Sequence, residues 1–263
     1  MQLLPEAPES ALIKQTIDGV AYLTLNRPRQ YNALSSGLLD ELHVALDECN
    51  NDAQVRVVVI AAHGDAFCAG HDLKEMRAAN TLVFAQKLFS RCSEMMMKIA
   101  RLPVPVIAEV QGMATAAGCQ LVAQCDLAVA GDTAKFAVSG VNLGLFCSTP
   151  AVPLSRAISR KRAAEMLMTG EFIDAATALD WGLVNRVVPV ADLRAATLKL
   201  AETLKVKPRN ALALGKALFY RQLEAGIESA YDDASATISG NFMDAGAQEG
   251  VAAFLKKRKP DWR

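Results

Sequence analysis

Two stretches of the chain join small residues to a helix start, a pairing that can do chemistry through backbone N–H groups alone. In the first, Phe67-Cys68-Ala69-Gly70-His71-Asp72-Leu73-Lys74-Glu75-Met76, a small-residue turn opens into a helix predicted to begin near Asp72. The first N–H groups of a helix have no intrahelical acceptor and lie at the positive end of its dipole. They can meet an oxygen that gains negative charge during a reaction. Asp72 and Glu75, three apart, have capping-box spacing. In the second, Val110-Gln111-Gly112-Met113-Ala114-Thr115-Ala116-Ala117-Gly118-Cys119-Gln120, a strand runs through a small-residue loop into a helix over 119–124. That helix start could aim another N–H at a ligand. The Gly-x-Gly-x-x-Gly fingerprint is absent, which disfavours a dinucleotide site. Each stretch alone also reads as an ordinary turn before a helix.

A few side chains add options. Cys147 and Ser148 follow Gly144-Leu145-Phe146, where a thiol of lowered pKa would be a nucleophile and an ordinary one a pocket lining. Glu109 is a charge inside the apolar run 106–110, either a perturbed carboxylate or a strand residue reaching solvent or an arginine. The His71 ring has a pKa suited to proton transfer, or points to solvent. His43 and His63 have no neighbouring metal-ligand partner, and Met95-Met96-Met97 fits a helix core. No metal site is expected.

These residues must be positioned by alternating strands and helices. Residues 1–10, with two prolines and two glutamates, read as a loose lead. Asp18-Gly19 between two alternating runs predicts a hairpin over 11–25. Helices are predicted at 36–50 and 82–100, the latter stopped by Pro103 and Pro105. The β-branched run 55–60 and the runs 106–110 and 126–130 read as strands. This strand–strand–helix pattern implies a parallel or mixed α/β layering. After Pro150 the reading is almost wholly helical, at 161–168, 174–181, 191–205, 208–223, 227–244 and 247–257, with one strand at 184–188. A core over 1–190 and a helical region over 191–263 follow, the latter placed against a neighbouring subunit.

Bulk properties exclude several classes. The chain has 263 residues, 52% of them hydrophobic, and 28 basic residues balance 28 acidic ones. That balance argues against a nucleic-acid footprint. No apolar run reaches the ~18 residues of a membrane span. The six cysteines lack C-x-x-C pairs and lie mostly in apolar runs, as buried thiols in a reducing compartment do. The start lacks a basic and apolar signal and is acidic and Arg-free, so a cytoplasmic protein is expected.

Taken together, the ordered pieces Leu25-Asn26-Arg27-Pro28, Asn32-Ala33-Leu34, Phe67 to Met76, Pro105-Val106-Ile107-Ala108, Gly118-Cys119, Cys125-Asp126-Leu127-Ala128-Val129-Ala130, Leu143-Gly144-Leu145, Trp181-Gly182-Leu183-Val184 and Ala252-Ala253-Phe254-Leu255 resemble the crotonase (enoyl-CoA hydratase/isomerase) superfamily. The resemblance runs from about residue 12 to 260. Gly144 to Pro150 and the ending Lys257-Arg258-Lys259-Pro260 are most similar to its "enoyl-CoA hydratase domain-containing" branch. It implies an α/β crotonase-like fold, a spiral of ββα repeats with a C-terminal helical trimerisation region, as a homotrimer or hexamer. It implies a lyase acting on an acyl-CoA thioester, with coenzyme A part of the substrate and no other cofactor. The family's oxyanion-hole N–H groups fall on His71 and Ala117. Residues Ala69, His71, Asp72, Leu73 and Lys74 would line the coenzyme A path, Arg29 would approach its phosphates, and Cys147 would face the acyl group. Phe254 and Lys257 would reach a neighbouring subunit's coenzyme A.

One departure stands out. The two family glutamates that handle water and the α-proton fall on Gln120 and Gly140. Neither an amide nor glycine is a general base. Weak or absent hydration is therefore expected, and glutamates at both positions should raise it. Decarboxylation, thioester hydrolysis and acyl-CoA binding without turnover stay open as alternatives.

Overall fold

The computed structural model describes residues 10–262, so the predicted lead lies outside the described residues except for Ser10. Strands β1 (Leu12–Ile17) and β2 (Val20–Leu25) form the expected antiparallel hairpin. Its central residues Asp18 and Gly19 have φ of 46° and 77°. Both are positive, as a type I′ turn requires. Helix α1 (Ser36–Asn51) is capped by the Ser35 side chain.

The chain then repeats one unit. A strand enters a six-stranded sheet, a three-residue strand enters a second sheet, and helices follow. The first unit is β3 (Val57–Ala62), β4 (Ala66–Cys68), α2 (Leu73–Ala79) and α3 (Leu82–Arg101). The second is β5 (Val106–Val110), β6 (Met113–Thr115) and α4 (Ala117–Gln124). The third is β7 (Leu127–Gly131), β8 (Lys135–Ala137), α5 (Ser148–Ala157) and α6 (Arg160–Thr169). Then come β9 (Ile173–Asp174), α7 (Ala175–Trp181), β10 (Arg186–Val188), α8 (Leu193–Lys205), α9 (Arg209–Gln222), α10 (Ile227–Phe242) and α11 (Ala245–Leu255).

The larger sheet has order β1-β2-β3-β5-β7-β10 and is parallel from β2 onward. The smaller has order β4-β6-β8-β9, with β4, β6 and β8 parallel. This is the ββα spiral that the resemblance implies. Both faces of its central strands β2, β3, β5 and β7 are buried, which is why β3, β5 and β7 read as largely apolar runs, while the edge strand β1 is exposed beyond Leu12. On β5, Val106, Ala108 and Val110 face the main core, while Ile107 faces a second cluster under Leu193, Leu200 and Ala201 of α8. Phe67 and Phe136, both fully buried, anchor the smaller sheet in the main core. Burying such a ring contributes ~1.5–3 kcal/mol.

The small strands were not readable from the sequence. What looked like a small-residue loop over 112–118 contains β6. Helix α5 was also unseen, because Pro150 and Pro153 lie inside it. Pro150 sits in the first turn, where a missing N–H costs nothing, and Pro153 is an interior proline. Gly182 ends α7 with φ 86°, the left-handed cap expected there.

Candidate active site

Because β4, β6 and β8 are parallel neighbours, the segments leaving their C-terminal ends converge. These are residues 69–71, 116–117 and 138–140. Ala69, His71, Ala116, Ala117, Ser139 and Gly140 from these segments wall a cavity of about 320 Å³, completed by Leu73 and Met76 of α2, Phe89 of α3, Leu143 and residues 145–150. Ligands of parallel α/β sheets bind at this end of the strands.

The first segment is fixed from the side by residues 27–34. The Leu34 N–H donates to the Gly70 carbonyl at 2.8 Å, the Asp72 N–H to the Leu34 carbonyl at 3.2 Å, and the Ala69 N–H to the Tyr31 carbonyl at 3.0 Å. The Arg27 guanidinium donates to the Ala33 carbonyl and pairs with the Asp72 carboxylate at 3.0 Å. Fully buried Asn32 donates to the His63 and Ala66 carbonyls. Asp72 caps α2 by accepting from the Lys74 and Glu75 N–H groups. The capping box is not reciprocal, however, since Glu75 turns to the Ser36 N–H at 2.9 Å.

The second segment is set by backbone strain and close approach. Ala116, which caps α4, has φ 50° and ψ −120°, a region costly for any residue with a side chain. Gly70, at φ 92°, packs against it, and a Cβ there would lie 3.2 Å from the Ala117 nitrogen. A side chain at Gly118 would collide with the Cys68 carbonyl. Among the described residues, the N–H groups of His71 and Ala117 have no acceptor. Two unused donors thus meet across tightly packed loops beside the cavity.

Of the residues singled out by sequence, Ala69, His71, Leu73, Ala117, Gly140 and Cys147 come together in the cavity wall. Gln120 is buried one turn along α4 from Ala117, and its Oε1 has no partner among the described residues. Arg29 and Lys74 are exposed outside the wall, Asp72 is engaged in the cap, and Phe254 and Lys257 are exposed at the end of the chain. The His71 ring does not point to solvent. Both its nitrogens are buried, and it meets the Phe89 ring edge-on at 5.2 Å. Burial lowers its pKa, and the Leu34 backbone and Glu75 oppose the shift.

One expectation changes, and two open alternatives are decided. Gly140 has no room for glutamate, since even a Cβ would lie 2.5 Å from the Leu145 carbonyl oxygen and 2.8 Å from the Cys147 Sγ. A glutamate there requires the loop to move, so the simple double replacement is not a clean restoration. Cys147 is no activated nucleophile, because burial raises its pKa although the Gly140 N–H donates to its sulfur at 3.3 Å. Glu109 faces α8 and pairs with Arg194 at 3.4 Å, away from the cavity. Sequence reading missed the Thr115 and Ser139 hydroxyls, which share a 2.8 Å hydrogen bond at the ends of β6 and β8. Nothing in a three-residue strand flags them. Among the described residues no helix is long and apolar enough to cross a membrane, and no cluster of His, Cys, Asp or Glu could hold a metal.

A family model described as enoyl-CoA hydratase/isomerase matches residues 15–263. The chain belongs to this family. It is similar to a crystal structure of an enoyl-CoA hydratase of Mycobacterium smegmatis, with 56% identity, a TM-score of 0.95 and coverage of 97% of this chain and 99% of that one. Against human enoyl-CoA hydratase domain-containing protein 3 the identity is 44% and the TM-score 0.93, over 96% of this chain and 100% of that one. The mouse protein of that name is 47% identical over 93% of this chain and 82% of its own length. This family member thus falls in the crotonase superfamily, on the domain-containing branch. The cytoplasmic expectation is overturned by these relatives. Mouse, rat, human, frog and zebrafish proteins of the branch are all named mitochondrial. An N-terminal composition was too weak a guide to compartment.

Proposed function

We propose that the cavity binds an acyl-CoA thioester, with its carbonyl oxygen held between the N–H groups of His71 and Ala117, and stabilises the enolate of that thioester. The observation that carries this reading is the pair of unused backbone donors at the C-terminal ends of β4 and β6, beside a largely apolar cavity. Two preorganised donors favour an oxygen that becomes negative over one that stays neutral. Losing one such donor typically costs ~3–4 kcal/mol. Leu73, Phe89 and Phe146 suit an acyl chain. Ala69, Asp72 and Lys74 border the proposed path of coenzyme A, with Arg29 toward its phosphates and no further cofactor. Gln120 and Gly140 supply no acid or base, so hydration of an enoyl-CoA is slow or absent.

The helical end fits self-association. Phe219 on α9, Leu223 just beyond it, and Ile227, Tyr231, Ile238 and Phe242 on α10 are each more than half exposed. Covering them with further copies of the chain, as a trimer or hexamer, would let Phe254 and Lys257 reach a neighbour's coenzyme A. Replacing Lys257 with glutamate is then expected to weaken acyl-CoA binding without lowering thermal stability. Unchanged affinity would take the tail out of the site.

The test is calorimetric binding of crotonyl-CoA together with its turnover, beside an active hydratase as control. Binding with little or no loss of the enoyl absorbance is expected. Absence of binding to any acyl-CoA would refute the reading.

A further inference from the structure

The Thr115 and Ser139 hydroxyls leave one hydrogen unaccounted for. Their oxygens lie 2.8 Å apart, and each hydroxyl brings one hydrogen, so the bond between them uses one of the two. Among the described residues neither oxygen has another partner. Thr115 is 8% exposed and is not part of the cavity wall, whereas Ser139 stands in that wall beside Ala117 and Gly140. A buried hydroxyl hydrogen without an acceptor is costly, and native structures keep few. Thr115 is therefore satisfied by donating to Ser139, which leaves the Ser139 O–H free to turn to the cavity. Strand register fixes where it stands. Thr115 pairs with Ala137 across the parallel strands β6 and β8, and the Ala116 N–H donates to the Ala137 carbonyl at 3.0 Å. Ala117 and Ser139 each follow that pair by two residues. The Cα atoms of Thr115 and Ala117 are thus at most ~7 Å apart, so the hydroxyl pair lies close to the unused Ala117 N–H.

The rest of the wall limits what that hydrogen can meet. None of the lining residues is Asp, Glu, Lys or Arg. The His71 ring nitrogens are buried, and the Ser148 hydroxyl donates to the Phe146 carbonyl at 3.3 Å. A ligand carboxylate would lose its hydration here with no cation to replace it. A ligand hydroxyl would bring a further hydrogen in need of an acceptor. A ketone oxygen only accepts, and one O–H satisfies it. We propose that Ser139, held by Thr115, is a specificity-determining residue of this cavity, donating to the ketone oxygen of a 3-oxoacyl-CoA whose thioester carbonyl lies between the His71 and Ala117 N–H groups. The inference rests on the acyl-CoA reading above and names the acyl group within it. Because Ser139 adjoins Gly140, a neutral donor stands next to the position where the carboxylate is lost.

Such a ligand suits a wall without a carboxylate base. Its α-carbon lies between two carbonyl groups, so a buffer base in solution takes the α-proton and the equilibrium needs no base from the protein. The C–H bonding pair spreads over both oxygens of the enolate, and return of the proton restores the ligand. One oxygen is met by the two backbone N–H groups and the other by the Ser139 O–H. Hydrogen bonds to an ionised acceptor are roughly twice as strong as neutral ones, so the enolate gains more from these three donors than the ketone does.

The experiment compares calorimetric binding of acetoacetyl-CoA, 3-hydroxybutyryl-CoA and butyryl-CoA, and follows the ultraviolet absorbance of the acetoacetyl-CoA enolate against pH. The wild-type protein is expected to bind acetoacetyl-CoA ~3–10-fold more tightly than butyryl-CoA, as one added hydrogen bond gives. Enolate should form at lower pH on the protein than in free solution. Ser139→Ala should bring the acetoacetyl-CoA affinity down to that for butyryl-CoA and reverse part of the pH shift. Thr115→Val should reduce the preference, since Ser139 is then no longer held, and an unaltered preference there removes Thr115 from the proposal. Equal wild-type affinities for acetoacetyl-CoA and butyryl-CoA overturn it, as does a preference that survives Ser139→Ala or is lost instead in Thr149→Val, the other hydroxyl of the wall without a partner among the described residues. A fall in all affinities alike in Ser139→Ala assigns Ser139 a structural role and also overturns it. Binding of 3-hydroxybutyryl-CoA as tight as that of acetoacetyl-CoA overturns the ketone assignment. Failure of the wild-type protein to bind any of the three overturns the acyl-CoA reading itself, which separates that failure from the failure of this proposal.

Discussion

Replacing Gly140 with alanine tests whether the lost carboxylate position is closed by the backbone. A Cβ there would lie 2.5 Å from the Leu145 oxygen, and ordinary contact begins at 3.4 Å, so that oxygen must retreat by about 0.9 Å. The retreat loads the 3.0 Å bond from the Leu145 N–H to the Gly140 carbonyl and the 3.3 Å bond from the Gly140 N–H to Cys147. Overpacking typically costs ~1–3 kcal/mol, and a weakened hydrogen bond adds ~0.5–1.5 kcal/mol. A loss of about 2–4 kcal/mol follows, or a fall in melting temperature of roughly 5–15 °C for a chain of this size. Calorimetric melting with acyl-CoA titration reads both consequences, and affinity should fall because residues 143–150 wall the cavity. Adding Cys147→Ala should recover only the sulfur's share, since the Leu145 oxygen still blocks. An unchanged melting temperature and affinity would show that the segment yields freely, and the account of why glutamate cannot return here would be wrong.

Other outcomes are equally open to measurement. Ala116→Gly should raise the melting temperature by ~2–4 °C, because relieving φ 50° outweighs the added freedom of the unfolded chain by about 1 kcal/mol; a fall would mean that Ala116 is unstrained. Lys216→Met should cost ~3–5 kcal/mol in denaturant unfolding, because Lys216 binds Asp126 at 2.6 Å under α9 and its loss leaves a largely buried carboxylate partly unpaired. A loss under 1 kcal/mol would identify the Tyr220 hydroxyl and the Val106 N–H as sufficient partners for Asp126. Stability should fall as pH drops below about 6.5, because the unfolded His71 takes up a proton that the folded one refuses. His71→Phe should flatten that part of the profile, and an identical slope in the variant would assign the proton uptake elsewhere.

Much of the larger sheet could be read from the chain because its strands carry their own signal. The hairpin is written in Asp18-Gly19, and the runs at 57–60 and 106–110 are apolar on both faces because core lies on both sides. The smaller sheet could not be read. Three residues such as Lys135–Ala137 offer no period, and their identity as strands comes from neighbours far along the chain. The same holds at the site. The turn at 69–72 and the loop at 112–118 were visible as helix starts, but nothing local indicates that Gly140 faces the Leu145 carbonyl or that the His71 ring lies against Phe89. The closure at Gly140 is set by the return of residues 145–147, a contact across a loop. Glu109 stayed open between two readings for a related reason, since its arginine partner is supplied by α8, more than eighty residues later.

The brevity of the inner strands has a consequence for how this protein would fail. None of the three could persist alone, so the rigidity of the cavity is lent by the longer strands behind it and by the 27–34 strap at its side. The loops that carry His71, Ala117 and Gly140 should therefore open together, at a lower free energy than the outer sheet, in native-state hydrogen exchange. Damage remote from the cavity, at the edges of the outer sheet or along the strap, would then appear first as fading ligand affinity in a chain that still looks folded.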